Sequence, residues 1–529
     1  MRDFQLPGRS PVYGNRAAVA TSHPLATLTA AETLKSGGNA VDAAIAAAAL
    51  LCVVEPQSTG IGGDCFALYS PANETRTIAY NGSGRAPAAA TVDWFQRQGI
   101  EAIAQHSAHA VTIPGAVDGW CRLNADYGRK DLADLLQPAI DYAQTGYPIQ
   151  PRIAYDWERS VKTLSHDANA KALFLPQGHP LKAGQRHSQP KLAQTLKVLA
   201  EKGRDGFYQG AIAQDMVNHL QSLGGLHTLE DFATAAGEYV QPISTNYHGF
   251  EVVECPPNGQ GITVLLMLNI LQGIPLSDYA PNSAERIHYC TEAARLAYRD
   301  RNLCVADPAY ASIPIDQLLS DDYATQLRQS IRGDRALTKL PPSLLPDHPH
   351  TVYLCVVDDE GNAISFIQSV FHSFGSGIVS PNTGILLHSR GSGFQLNPDH
   401  PNHIAPGKRP FHTIIPGMLR KEDQVVMPFG VMGAAYQPTG QMHLLTNLID
   451  YGMDVQTALD FPRFFYQSDV LQLEHGIEPS VADTLRSMGH KVQPAPEPLG
   501  GGQGIWIDHD HKVLIGGSDP RKDGCAIAY

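Results

Sequence analysis

No basic cluster interrupts this chain. Its 39 Lys+Arg face 52 Asp+Glu, a formal net charge of -13 over 529 residues, and that balance argues against nucleic acid and anionic membranes as partners. No apolar run is long enough to cross a bilayer: the most apolar stretch, 43–54, is short and is bounded by Asp42 and Glu55. The opening MRDFQLPGRSPVYG has no apolar h-region, so a cytoplasmic protein is expected. The eight cysteines show no CxxC spacing and several sit in apolar runs, which points to buried free thiols and not to disulfides or zinc ligands. Gly-x-Ser-x-Gly and HExxH are both missing, and with them the markers of an α/β-hydrolase elbow and of a zinc protease. No GK[ST] follows Gly60, Gly62 and Gly63, which lead into a strand, so a phosphate loop is not expected. His348/His350 and His509/His511 are spaced by two but fall in loops and turns; neither metal nor cofactor is expected.

What is present is a globular balance, 43% hydrophobic and 17% charged residues, enough for a sizeable core. Residues 16–22 read as a short strand, and a helix starts at His23-Pro24 and runs to about Lys35. After Gly37-Gly38, Asn39 with Asp42 three residues on is an N-cap signal for an Ala-rich helix to about Leu51. So many alanines imply close packing against a sheet or another helix. Residues 55–70, EPQSTGIGGDCFALYS, read as a tight turn in which backbone approaches something closely. Residues 283–305 form a long helix whose charges are expected to make a mostly solvated face.

The stretch 350–375, HTVYLCVVDDEGNAISFIQSVFHSFG, reads as a hairpin with Thr351 at its leading edge, turn residues at 358–362 and a second strand from Ala363 to Val370. Upstream, LPPSLLPDHPH holds four prolines and reads as an exposed loop able to bring a peptide bond to Thr351. That arrangement suits self-cleavage between His350 and Thr351. At a new N-terminus the hydroxyl of Thr351 would have its own α-amine, with an ordinary pKa of about 7.7–8.0, as general base. Taken locally, Thr351 reads as a plain β-former before it reads as a nucleophile, and Cys355 in mid-strand reads as core. Gly433 and Ala434 precede a helix running to about Asp450, either as backbone donors to an oxyanion or as a tight turn without a ligand. Arg85 lies in a polar loop and is either a surface charge or a carboxylate ligand.

Set together, these segments resemble the γ-glutamyltranspeptidase family of N-terminal-nucleophile hydrolases over nearly the whole chain. The matching stretches are SHPLATLTAAETLKSGGNAVDAAIAAAALLCVVEPQSTGIGGDCF, VTIPGAVDGW, PAIDYAQTGYPI, TEAARLAYRDRN, TVYLCVVDDEGNAISF, FGSGI, GKRP and SDPR. The resemblance implies an α+β fold, a four-layer αββα sandwich. It implies a proenzyme cut before Thr351 into a larger chain, 1–350, and a smaller one, 351–529, held together as one unit. The product would be a heterodimer of the chain's own fragments, alone or as a dimer of heterodimers. Thr351 matches the nucleophile, Ser369 the hydroxyl that orients it, and Gly433 and Ala434 the donors to the oxyanion.

The substrate pocket departs from the family pattern. The Arg that holds the glutamyl carboxylate falls on Ser83, with Arg85 displaced by two, and an Asn of the pocket falls on Phe371. The Asp for the α-amine falls on Gly393, Arg390 replaces a Gln, and a Ser pair falls on His412 and Thr413. Losing the carboxylate while gaining an Arg biases the site toward anions without an amine, since an unpaired buried charge costs about 2–5 kcal/mol. The pattern most resembles a cytoplasmic branch of the family, and that resemblance implies a small carboxylate-bearing amide as substrate, oxamate first, within purine-nitrogen catabolism, with Arg85, Arg390, His412 and Thr413 as its contacts. The alternatives are γ-glutamyl or glutathione hydrolysis or transfer, an acylase for larger amides, and an unprocessed scaffold without activity.

Overall fold

Alternation along the central hairpin sorts its side chains between two different cores. In the computed structural model, which describes residues 8–338 and 349–529, the hairpin strands are Pro349–Val357 and Ala363–His372. Val352, Leu354, Val356, Ile364 and Phe366 join one apolar cluster. Tyr353, Cys355, Val357, Ala363 and Ile367 join another, as a period of two requires.

The hairpin is the middle of a seven-stranded antiparallel sheet with the order Cys525–Ala528, Ala18–Thr21, Pro349–Val357, Ala363–His372, Asp64–Ser70, Ile78–Gly82, Glu238–Val240. A second seven-stranded antiparallel sheet runs Val12–Gly14, Val513–Ser518, Gly501–Asp508, Gln424–Met432, Gly417–Lys421, Phe250–Glu254, Ile243–Tyr247. Between them lies the cluster of Phe66, Leu68, Tyr353, Val253, Met418 and Ile505. The outer face of the first sheet is covered by helices that include Pro24–Lys35, Ala40–Val54 and Leu132–Thr145. The outer face of the second is covered by Gly261–Leu271, Ala284–Cys304 and Gln437–Ile449. The fold is therefore a four-layer αββα sandwich of the N-terminal-nucleophile hydrolase type.

Both sheets draw strands from either side of position 350, so the two parts of the chain are interleaved within each sheet. Helix Ala40–Val54 is buried along its whole length, and its start is fixed by a reciprocal cap between Asn39 and Asp42. The proline-rich segment 340–348, expected to present the scissile bond, lies outside the described residues. No helix of the described residues is long and apolar enough to cross a membrane.

One expectation is corrected. The charges of Ala284–Cys304 do not form a solvated face: Arg286, Glu292, Arg295, Asp300 and Arg301 are all buried. Arg286 bonds Pro281 O, Thr446 Oγ1 and Asn447 Oδ1, and Arg295 pairs with Glu292. The helix is covered on both sides, so even its polar face needs partners within the protein.

Candidate active site

Thr351 stands at an irregularity of the hairpin. His350 faces Phe371 while Val352 faces Gln368, and the register shifts between them, leaving Thr351 opposite Ser369 and Val370. A bulge of this kind bends the strand and re-aims the side chain it carries. Thr351 is 1% exposed. Its Oγ1 donates to Ser369 Oγ at 3.3 Å and accepts from Gln437 Nε2 at 3.4 Å. Ser369 Oγ also accepts from the N–H of Phe371 at 2.8 Å. Phe371 has φ 77°, a strained conformation for a bulky residue and one that the surrounding contacts must hold. The glycine turn at 60–63 supports this point from behind, because a Cβ on Gly63 would lie 2.3 Å from Ser369 O. Only glycine allows that approach.

Gly433 and Ala434 follow the strand Gln424–Met432 with φ 116° and 43° and lead into the helix Gln437–Ile449. Gln260 Nε2 donates to both Thr413 O and Ala434 O at 2.7 Å, and Arg301 Nη1 holds Gln260 Oε1 at 2.7 Å. The buried charge of Arg301 thus reaches the 433–434 turn through one amide. Thr351 and Gly433 line the same cleft, a cavity of about 50 Å³ whose walls include Tyr436, Arg152, Glu497 and Lys522. Arg152 is spent on Asp156 and on Arg521 O. Lys522 is 7% exposed, and among the described residues its ammonium has no hydrogen bond or ion pair. Burial pushes its pKa down and Arg152 adds to this, against Asp156, Glu55 and Asp519. Burial raises Glu55 to about 7, with Lys522 opposing.

A buried polar group lies behind Phe371. The Arg390 guanidinium sits 3.9 Å from the Phe371 ring centroid, donates to Thr413 Oγ1 at 2.9 Å, and leaves Nη2 without a partner among the described residues. Asp64 accepts from Gly84 N–H at 3.0 Å and Gly115 N–H at 3.2 Å, and its Oδ2 lies 3.0 Å from His412 Nε2 and 3.5 Å from His388 Nδ1. Burial lowers the pKa of His412 to about 3 and that of Arg390 to about 9, with Asp64 opposing both shifts. Asp64 is drawn upward by burial but held below the usual carboxylate range by its histidine and arginine neighbours. At neutral pH the group is one carboxylate, one guanidinium and neutral His412. Arg390, Thr413 and His412 thus come together; Arg390 is three contacts from Thr351, through Ser369 and Phe371, and none of the three residues is among the walls of the cleft that Thr351 and Gly433 share. Arg85 does not join them: its guanidinium bonds Gly407 O at 3.1 Å and lies 3.9 Å from Asp307. Ser83, where the family pattern has an Arg, accepts from Asn258 Nδ2 at 3.0 Å.

The sequence profile of the gamma-glutamyltranspeptidase family matches residues 26–529. The chain belongs to the gamma-glutamyltranspeptidase family. It is 38% identical over 526 residues to the glutathione hydrolase-like YwrD proenzyme of Bacillus subtilis, covering 98% of this chain and 99% of that one. It is 34% identical over 539 residues to the oxamate amidohydrolase proenzyme of Klebsiella pneumoniae, covering 98% and 99%. The crystal structure of a cephalosporin acylase from Bacillus halodurans superposes with a TM-score of 0.93 at 40% identity, over 100% of this chain and 99% of that one. This gamma-glutamyltranspeptidase relative is accordingly a hydrolase acting on amides.

Within this gamma-glutamyltranspeptidase fold, His288, Glu292 and His490 are the one set of metal-ligand type gathered among the described residues. Its atoms are already used: Glu292 accepts from Arg295 and Leu337 N–H, while His288 bonds His490 and Arg332 O. It is a buried strut under the segment 332–337, and among the described residues no contact joins it to Thr351. All eight cysteines are free, and Cys355 is fully buried. Sequence reading passed over Gln437, Gln260, Asp64, His388 and Lys522. Asp64 lies within the glycine turn that was noticed, and Lys522 directly follows the SDPR motif; Gln437 and Gln260 carry no signal of their own.

Proposed function

We propose that the chain is a self-processing threonine amidohydrolase, cut between His350 and Thr351, that hydrolyses a small amide bearing a carboxylate and no ammonium, with oxamate the substrate to test first. Thr351 Oγ1 would attack the amide carbon, the turn at Gly433 and Ala434 would receive the oxyanion, and Ser369 would orient the hydroxyl. Water would then release the acid from the ester.

The observation that carries the substrate reading is Arg390, a buried guanidinium whose Nη2 has no partner among the described residues, beside Thr413 and His412. Asp64, the carboxylate of that group, is engaged by two backbone N–H groups and two histidines. An α-ammonium would find a competing cation there, and the cost of leaving it unpaired disfavours a glutamyl group. Arg85, held by Gly407 and Asp307, is the weaker candidate contact. The cavity of about 50 Å³ beside Thr351 also favours a small substrate, since pockets that hold drug-sized ligands measure roughly 300–1,000 Å³. The likeness to a cephalosporin acylase at 40% identity supports a second reading, hydrolysis of a larger amide whose acyl part is anionic.

Intact mass of the purified protein, followed by ammonia release from oxamate and glutamate release from glutathione, tests both parts. Two fragments meeting at 350/351 with ammonia from oxamate alone is the expected result. Glutamate release would return the chain to γ-glutamyl hydrolysis, and a single uncut, inactive chain would leave a scaffold.

A further inference from the structure

Gln437 has a chemical opportunity that the nucleophile and the oxyanion turn leave open. Its side chain is fully buried. Its Oε1 accepts the N–H of Ile415 at 3.1 Å, which fixes the amide so that Nε2 is the end facing Thr351 Oγ1 at 3.4 Å. A donor at that oxygen does little for attack, when Oγ1 must give up electron density. It matters when the ester breaks and Oγ1 takes the electron pair back. Hydrogen bonds seen long in a resting site tighten as charge develops. Gln437 opens the same helix that follows Gly433 and Ala434, so one turn supplies donors for the oxyanion and for the departing Oγ1 of the tetrahedral intermediate, and the helix N-terminus favours negative charge there.

Resting on the threonine-nucleophile reading, we infer that Gln437 is the donor that stabilises the departing Thr351 Oγ1, and so governs ester breakdown and not ester formation. Water attacks the acyl carbon and passes one proton to the Thr351 α-amine. The new C–O bond forms, the C–Oγ1 bond breaks with its electron pair going to Oγ1, and the ammonium returns the proton to that oxygen. Gln437 donates a hydrogen bond throughout and transfers nothing. Self-cleavage ends on the same leaving oxygen, because an N-to-O shift at 350/351 also leaves an ester on Oγ1.

The test is Gln437→Met, which keeps the volume and removes the donor. In the processed variant, kcat should fall by tenfold or more, with KM falling in parallel so that kcat/KM holds, and the small fragment should carry the acyl mass in a quenched reaction. Loss of kcat and kcat/KM together with no acyl mass would overturn the inference, as it is the mark of a merely displaced Thr351. Should the variant remain uncut, hydroxylamine separates the outcomes. Splitting at 350/351 reveals a stalled ester and supports the donor role, whereas a folded chain with the wild-type melting temperature that resists hydroxylamine refutes it. Gln437→Asn, with a shorter donor, should recover deacylation only in part. A wild-type chain that never cleaves and never acylates would sink the threonine reading itself, a result distinct from either failure of Gln437.

Discussion

Two residues in the cleft give separable outcomes. Gly433 has φ 116°, and a Cβ there would meet Gly500 Cα at 3.1 Å and Tyr436 Cβ at 3.3 Å. Gly433→Ala therefore shifts the turn proposed to receive the oxyanion, and kcat should fall by about 10²–10³, measured by product release from protein already cut into two fragments. Lys522 lies behind an intact network: Asp519 is bound by Arg463 and Arg521, and Arg521 also pairs with Glu474. Replacing Lys522 with Met should leave cutting intact but raise KM for amides whose charge enters the cleft, by about tenfold to a hundredfold, the worth of a charge-assisted hydrogen bond. Equal KM values for anionic and neutral amides in both proteins would end that assignment. Thr351, Gly433 and Arg390 were singled out by the family resemblance, because the local pattern alone leaves Thr351 as a β-former, Gly433 as a plain turn and Arg390 as one charge in a glycine-rich segment. Gln437 and Lys522 act through partners 86 and 171 residues away in number from Thr351, where no local pattern reports the meeting.

Elements were read best where the signal was local. Asn39 and Asp42 marked a helix start that the structure completes with two reciprocal bonds, and Asp42 also accepts from the N–H of Arg129. Asn39→Ala should cost about 1 kcal/mol, seen as a lower urea midpoint with an unchanged slope; an unaltered midpoint would mean Asp42 and its other donors suffice. The helix extends to Val54, three residues past its expected end, because Cys52, Val53 and Val54 are all buried against the core and packing continues the helix beyond its alanine run. Ala284–Cys304 was misjudged in its environment, not in its existence. Periodicity shows that apolar residues share a face, but what covers the other face is tertiary: Thr446 and Asn447 meet Arg286, Leu337 meets Arg295, and Gln260 meets Arg301.

For the molecule as a whole, the interleaved sheets and one buried acid set the response to cutting and to pH. Strands on both sides of position 350 share each sheet, so the fragments of a cut chain should copurify and separate only in denaturant. Glu254 ends the strand Phe250–Glu254 at 0% exposure, with neither carboxyl oxygen hydrogen-bonded by any of the described residues. A Cβ on Gly261 would fall 2.7 Å from Glu254 Cβ and 3.1 Å from Oε2, so the acid is tucked beneath the start of the next helix. Burial raises its pKa well above the ordinary value, and the folded protein keeps this proton where the unfolded chain has lost it. Between the unfolded pKa, about 4.3, and the raised folded one, the folded state binds more protons, so stability falls as pH rises. Below that window the group contributes no penalty. Glu254→Gln removes the titration while keeping the shape, and its melting temperature should match the wild type near pH 4 and exceed it by a margin that widens toward pH 8. A margin that stays flat across this range would mean that Glu254 is ionised in the fold and finds its compensation there.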